Sequence, residues 1–189
     1  NGYWLRTYVN GVRTNSVRHG DGKITYPNGQ TLQGEFKHNN IFNGKGLLKR
    51  ADGGFYEGFF KNGFKHGHGR LVSPFEAVEG EFREGKFFNG KGLMTTKEGV
   101  VFDGTWVNGV WQGPGKLTNI DGSVLEGEFR TGQIFNGSGT TVYTDGGMYE
   151  GAFKDGKKHG PGVQSSADGT IIEGTFKEGA VYGSGKITF

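Results

Sequence analysis

Acidic side chains recur at a fixed interval along this chain. Glu57, Glu79, Asp103, Glu126, Glu150 and Glu173 stand 22 to 24 residues apart, with Gln33 ahead of them in the same series. Paired carboxylates can serve as general acid and base when their surroundings push their pKa values apart. Here each carboxylate sits once per interval in the same local context, which marks a scaffold position rather than a catalytic pair. His66 and His68 could touch one metal ion from a single strand face, but no third ligand is evident. Gly183-Ser184-Gly185-Lys186 evokes a phosphate loop, yet Ala180 stands where the first Gly belongs and Ile187 where Ser or Thr belongs. Asn136-Gly137-Ser138 is a glycosylation sequon that copies an Asn-Gly-x-Gly unit found elsewhere in the chain. With no Cys, disulfides and thiolate metal sites are excluded. The expectation is a non-enzymatic chain with no catalytic residue, metal or cofactor.

The elements that carry these residues are repeats. Asp145-Gly146 reads as a tight hairpin turn, and Tyr149-x-Gly151-x-Phe153 alternates with the period of a half-buried strand. The same pattern places a mid-strand glycine at Gly34, Gly58, Gly80, Gly104, Gly127, Gly151 and Gly174. Two residues later an aromatic always follows: Phe36, Phe60, Phe82, Trp106, Phe129, Phe153 and Phe176. A Gly-x-Gly pair then opens the next strand, first at Gly20 and last at Gly183, in steps of 23 or 24 residues. The organisation is therefore a partial repeat and loop over residues 1–18, seven repeats over 19–182 and the start of another over 183–189. Tyr3 to Val9 reads as an edge strand and Gly11 to Arg18 as a loop. Because the chain starts and stops inside repeats, it reads as a segment of a longer protein.

The pattern Tyr-x-Gly-x-Phe/Trp-x-x-Gly-x-x-x-Gly-x-Gly resembles the MORN repeat (membrane occupation and recognition nexus), and the resemblance covers nearly the whole chain. One copy departs from it: Val72-Ser73-Pro74-Phe75-Glu76-Ala77 lacks the Asp-Gly turn and is one residue short. The resemblance implies a scaffold of cytoskeletal, ciliary or membrane-tethering assemblies. It also admits an anionic-phospholipid (phosphoinositide) module, or the regulatory arm of an enzyme lying outside this segment. Such a role implies a cytoplasmic protein, cytoskeleton- or membrane-associated.

The fold class expected is all-β, an elongated, twisted single-layer antiparallel meander of consecutive β-hairpins. Glycine, at 39 of 189 residues, far exceeds its usual share of about 7% and would suggest disorder without the periodicity. Strand parity puts Tyr56, Gly58 and Phe60, with their equivalents, on a packed face. The other face carries the acidic series and, four residues on, Lys37, Lys61, Arg83, Arg130, Lys154 and Lys177, which reads as a solvated face laced with ion pairs. No apolar run approaches the ~20 residues of a membrane span. A net charge of +3 is too small and too interspersed to argue for nucleic acid.

What varies between repeats is where function is expected. The residue two before each Gly-x-Gly is Phe42, Phe88, Trp111 or Phe135 in some copies, read here as an aromatic row on the inter-hairpin loops. Lys65 and Lys158 take the same place in others. Exposed aromatics are typical interface anchors, so the row is a candidate partner-binding site for a helix or extended peptide, with Trp111 as anchor. Lys65, His66, His68, Arg70, Lys157, Lys158 and His159 form a candidate basic edge for an acidic partner or an anionic membrane surface.

Overall fold

The computed structural model describes residues 3–9 and 12–189, with side chains from Val17 onward. Among them are sixteen strands and no helix. The chain divides into two compact units, Asn1–Gly90 and Lys91–Phe189. The first holds β1 (Tyr3–Val9), β2 (Val12–Thr25), β3 (Thr31–Lys37), β4 (Asn40–Lys49), β5 (Phe55–Lys61), β6 (Phe64–Ser73) and β7 (Glu76–Arg83). β8 (Lys86–Thr95) carries the boundary. The second unit holds β9 (Val101–Val107), β10 (Val110–Thr118), β11 (Val124–Arg130), β12 (Gln133–Val142), β13 (Met148–Lys154), β14 (Lys157–Ser165), β15 (Ile171–Lys177) and β16 (Ala180–Thr188). Within each unit the strands follow one another in chain order as an antiparallel meander. The expected all-β meander of hairpins is what forms.

Two kinds of turn join the strands. At one end, two residues suffice: Lys61 pairs with Phe64 across Asn62-Gly63, and Lys154 with Lys157 across Asp155-Gly156. Both central residues have positive φ, 54° and 81° at Asn62 and Gly63. This is the primed geometry whose twist matches the flanking strands. At the other end the Asp-Gly tips are wider than the tight turn expected there. Tyr143 and Gly147 close a three-residue loop, with the Gly146 N–H donating to the Tyr143 carbonyl at 3.0 Å and Asp145 accepting from the Gly147 N–H at 2.9 Å. The irregular tip still closes, because Pro74-Phe75 is a two-residue turn with Ser73 opposite Glu76.

Two further expectations are corrected. Val12 to Arg18 is not loop but the first half of β2, paired along β1 with one register shift at Thr7/Tyr8. The extra residues ahead of Gly20 lengthen a strand instead of bulging from it. The segments between the two-residue turns and the Gly-x-Gly pairs are also strand, because β4, β6, β8, β10, β12 and β14 begin immediately after those turns.

The aromatic two residues after each mid-strand glycine is buried, as are Tyr56, Phe102 and Tyr149 two residues before it, and Phe102, Phe129 and Tyr149 are 0% exposed. With one layer of sheet, these rings must cover one another. Tyr56 meets Phe60 and Phe82 edge-on at 5.2 and 5.1 Å, and Phe82 meets Phe87 at 5.2 Å. In the second unit Phe102 gathers Trp106, Trp111 and Phe129, and Tyr149 gathers Phe153 and Phe176. Glycine makes room for this: a Cβ on Gly104 would lie 2.7 Å from the Phe102 ring and 2.8 Å from the Gly115 backbone. Each buried ring contributes roughly 1.5–3 kcal/mol.

Candidate functional site

The residues that vary between copies are sorted by a bulge. In one class of copy the step from the last turn residue to the first glycine of the Gly-x-Gly pair is five positions, as from Asn39 to Gly44, Gly85 to Gly90 and Gly132 to Gly137. In the other class the step is four positions, as from Gly63 to Gly67, Gly109 to Gly113 and Gly156 to Gly160. In these long-step copies one residue is extra: Ile41 lies opposite Phe36 and Asn43 opposite Glu35, leaving Phe42 unpaired. In the short-step copies two are extra: His66 lies opposite Phe59 and Gly69 opposite Gly58, leaving Gly67 and His68. An odd insertion reverses side-chain parity and an even one preserves it.

The expected aromatic row is therefore divided between two faces. Phe42, Phe88 and Phe135 lie on the outer face beneath cations, with Lys37 Nζ 3.4 Å, Arg83 Cζ 3.8 Å and Arg130 Cζ 3.6 Å from their ring centres. Trp111 lies on the inner face, stacked on Phe102 at 4.8 Å and 13° and edge-on to Trp106 and Phe129. It is half-buried within a ring cluster. The inner counterparts of Phe42, Phe88 and Phe135 are Ile41, Phe87 and Ile134, each buried.

Around each outer-face ring a small polar clamp forms. Asn43 donates to Glu35 at 2.5 Å, Asn89 to Glu81 at 2.6 Å and Asn136 to Glu128 at 2.8 Å. The cation over the ring pairs with that same carboxylate, as in Arg83–Glu81 at 2.7 Å and Arg130–Glu128 at 3.1 Å. These ion pairs join residues two apart, not four apart as expected from the columns. The Arg83 guanidinium and then Asn89 hold the Glu81 carboxyl below its ordinary range. For Glu128 the order is Asn136, then Arg130. The other end of the amide reaches the next copy: Asn136 Oδ1 accepts from the Asp155 N–H at 3.0 Å.

The expected basic edge does not assemble on one surface. Lys65 and Lys158 point to the inner face, over Tyr56 and Phe82 and over Tyr143, Tyr149 and Phe176 respectively. His66 lies opposite Phe59, His68 opposite Glu81, Arg70 between Glu57 and Glu79, and His159 opposite Ala152. Lys157 is paired with Glu178 at 2.7 Å. Among the described residues no cluster of three or more His, Cys, Asp or Glu could hold a metal ion. No helix among them is long and apolar enough to cross a membrane.

Sequence reasoning missed the phenols. Tyr56 and Tyr149 lie over the glycines beside them and donate to the Phe59 and Ala152 carbonyls, each at 3.0 Å. They thereby satisfy backbone groups released by the two-residue bulge. Burial pushes the Tyr56 phenol up to about 12. It missed a recess as well. In the second unit Leu117, Leu125, Ile134, Thr141 and Tyr143 border an inner-face hollow of about 470 Å³. Thr141 stands there in the column that holds Leu71 and Leu117 in other copies. Its buried hydroxyl has no hydrogen-bond partner.

Paired strands, rings closed over glycine and a recurring bulge define a β-hairpin repeat protein with no visible catalytic constellation among the described residues. The MORN repeat profile matches residues 14–31, 33–55, 56–74, 102–124, 126–148 and 149–171, and the chain belongs to the MORN repeat family. Such repeats are commonly protein- or membrane-interaction scaffolds, and their all-β fold is typically non-enzymatic. No curated protein matched the chain closely enough to count as a relative.

Proposed function

We propose that this chain is a protein-binding scaffold whose inner sheet face receives a helix or extended peptide of a partner. The observation that carries this reading is the recess at Thr141. A single-layer sheet must cover its apolar face, and here a short polar residue replaces the leucine of other copies, leaving about 470 Å³ between Leu117, Leu125, Ile134 and Tyr143. A hollow of that kind takes an apolar anchor side chain. An anionic-lipid surface has less support, since Lys65 and Lys158 lie on the inner face and Lys157 is already paired. We read such a scaffold as part of a cytoskeletal, ciliary or membrane-associated assembly of the cytoplasm, a reading that the family resemblance supports.

The test is to fill the hollow. Thr141→Leu copies the residue of sister repeats and should keep or raise the melting temperature. Proteins captured from cytosol by the immobilised wild-type chain should be lost on this variant, and phosphatidylserine vesicles should not co-sediment with either. Capture that survives Thr141→Leu, or vesicle binding without protein capture, would remove the basis of the reading.

A further inference from the structure

Three cations occupy the same inner-face place in their copies: Arg18, Lys65 and Lys158. Two of them find an oxygen nearby. Arg18 donates to the Tyr26 hydroxyl at 3.0 Å, and Lys158 donates to Gln164 Oε1 at 2.6 Å. Lys65 has Leu71 where Lys158 has Gln164, and Leu71 is itself buried. The Lys65 ammonium instead lies 5.6 Å from the ring centres of both Tyr56 and Phe82. Among the described residues no carboxylate stands within ion-pair distance of it. The remaining ring neighbours of this floor, Phe60 and Phe87, are buried and apolar.

A half-buried ammonium over aromatic rings keeps cation–π attraction but lacks the strong acceptor that an ammonium normally recruits. We infer that Lys65 is a carboxylate subsite on the inner face of the first unit, receiving a glutamate or aspartate flanked by apolar residues on a partner's peptide segment. This rests on the protein-binding reading above and names the chemistry of the partner. The apolar flanks match the ring floor, and the carboxylate supplies the acceptor that Gln164 supplies to Lys158. Burial also holds the Lys65 ammonium below its ordinary value, with Glu76 opposing from a distance and Arg50 adding to the shift. A bound carboxylate would reverse that shift. A phosphate headgroup fits less well, because Lys61 and Arg83 project to the outer face and Arg50, the cation that acts on Lys65, is already paired with Asp52 at 3.3 Å.

The experiment selects binders from a displayed random-peptide library on the wild-type chain, Lys65→Met, Lys65→Arg and Lys158→Met. Circular dichroism and thermal melts establish that each variant is folded. Selection on the wild type should enrich peptides with a Glu or Asp between apolar residues. Replacing that acid by its amide in the best peptide should weaken binding about tenfold or more. Lys65→Met should bind the acidic and amide peptides alike, Lys65→Arg should retain the preference, and Lys158→Met should leave it unchanged. Enriched peptides with no acidic preference, bound equally by Lys65→Met, would overturn the subsite and leave the protein-binding reading standing. No enrichment on the wild type would overturn both. Binding of phosphatidylserine vesicles that depends on Lys65 would replace the peptide carboxylate by a lipid phosphate and overturn the assignment.

Discussion

The most consequential side chains on the outer face are carboxylates that look ordinary. Glu81 and Glu128 each hold an asparagine amide and an arginine, and both are kept below the ordinary carboxyl value of 4.5. A carboxyl whose folded value is depressed stabilises the fold fully above its unfolded value. That contribution is lost as the pH falls through the folded value. Melting temperatures should therefore hold from neutral pH down to about 4.5 and fall below it. Glu128→Gln should lower the neutral-pH melting temperature and flatten the acid limb, because nothing remains there to titrate. An acid limb as steep as the wild type's would show that the Asn136–Glu128–Arg130 clamp carries no linkage. The glycine-aromatic motif was readable from residue identities alone, since the period put Phe36, Phe60 and their equivalents on one buried face. The clamp was not, because Glu35, Glu81 and Glu128 sit outside the acidic series that drew attention.

At the scale of the strand, one residue decides which way a side chain faces. Phe129 and Phe135 are six apart on neighbouring strands of one hairpin, yet Phe129 is 0% exposed inside the Phe102 cluster and Phe135 lies outside under Arg130. Phe129→Ala should cost about 3–5 kcal/mol, as emptying a core ring does. Phe135→Ala should cost about 0.5–2 kcal/mol, the range of a cation–π contact. Comparable losses in thermal or denaturant melts would contradict the face assignment. This is also where the sequence misled: aligning positions backward from Gly-x-Gly placed Phe42, Phe88, Trp111 and Phe135 in one row. The signal that separates them was present in the interval from turn to Gly-x-Gly, five positions in one class and four in the other. It carries no meaning until the pairing is known, because periodicity fixes parity only while the register is unbroken. Lys65 and Lys158 were likewise read as exposed loop charge, but each follows a two-residue turn and lies opposite a buried ring, Phe60 or Phe153, on the inner face.

Over the whole chain, the packing period is two copies, not one. Tyr56, Phe102 and Tyr149 each start a ring cluster that reaches the aromatic of the following copy, Phe82, Phe129 and Phe176. These starting residues are 46 and 47 apart. In a repeat array, stability sums over units and their nearest neighbours, so the natural unit to remove is the pair. Deleting residues 102–148 excises one complete cluster and should leave a folded chain with a strand-type circular dichroism spectrum. Deleting residues 125–148 removes half as much chain but takes Phe129 from the Phe102 cluster and sets two short-step copies together. It should lower the melting temperature more. The opposite ranking would mean that each copy packs independently. The bulge has a further consequence at the level of the coding sequence. A single-codon insertion in a strand is ordinarily a lesion, since it throws every later side chain onto the wrong face. Between the turn and Gly-x-Gly it is absorbed before the next hairpin begins, and only the residue beside the insertion changes sides. Heritable change in this family can therefore move an anchor from one surface to the other through length alone, with the rest of the array still in frame and in register.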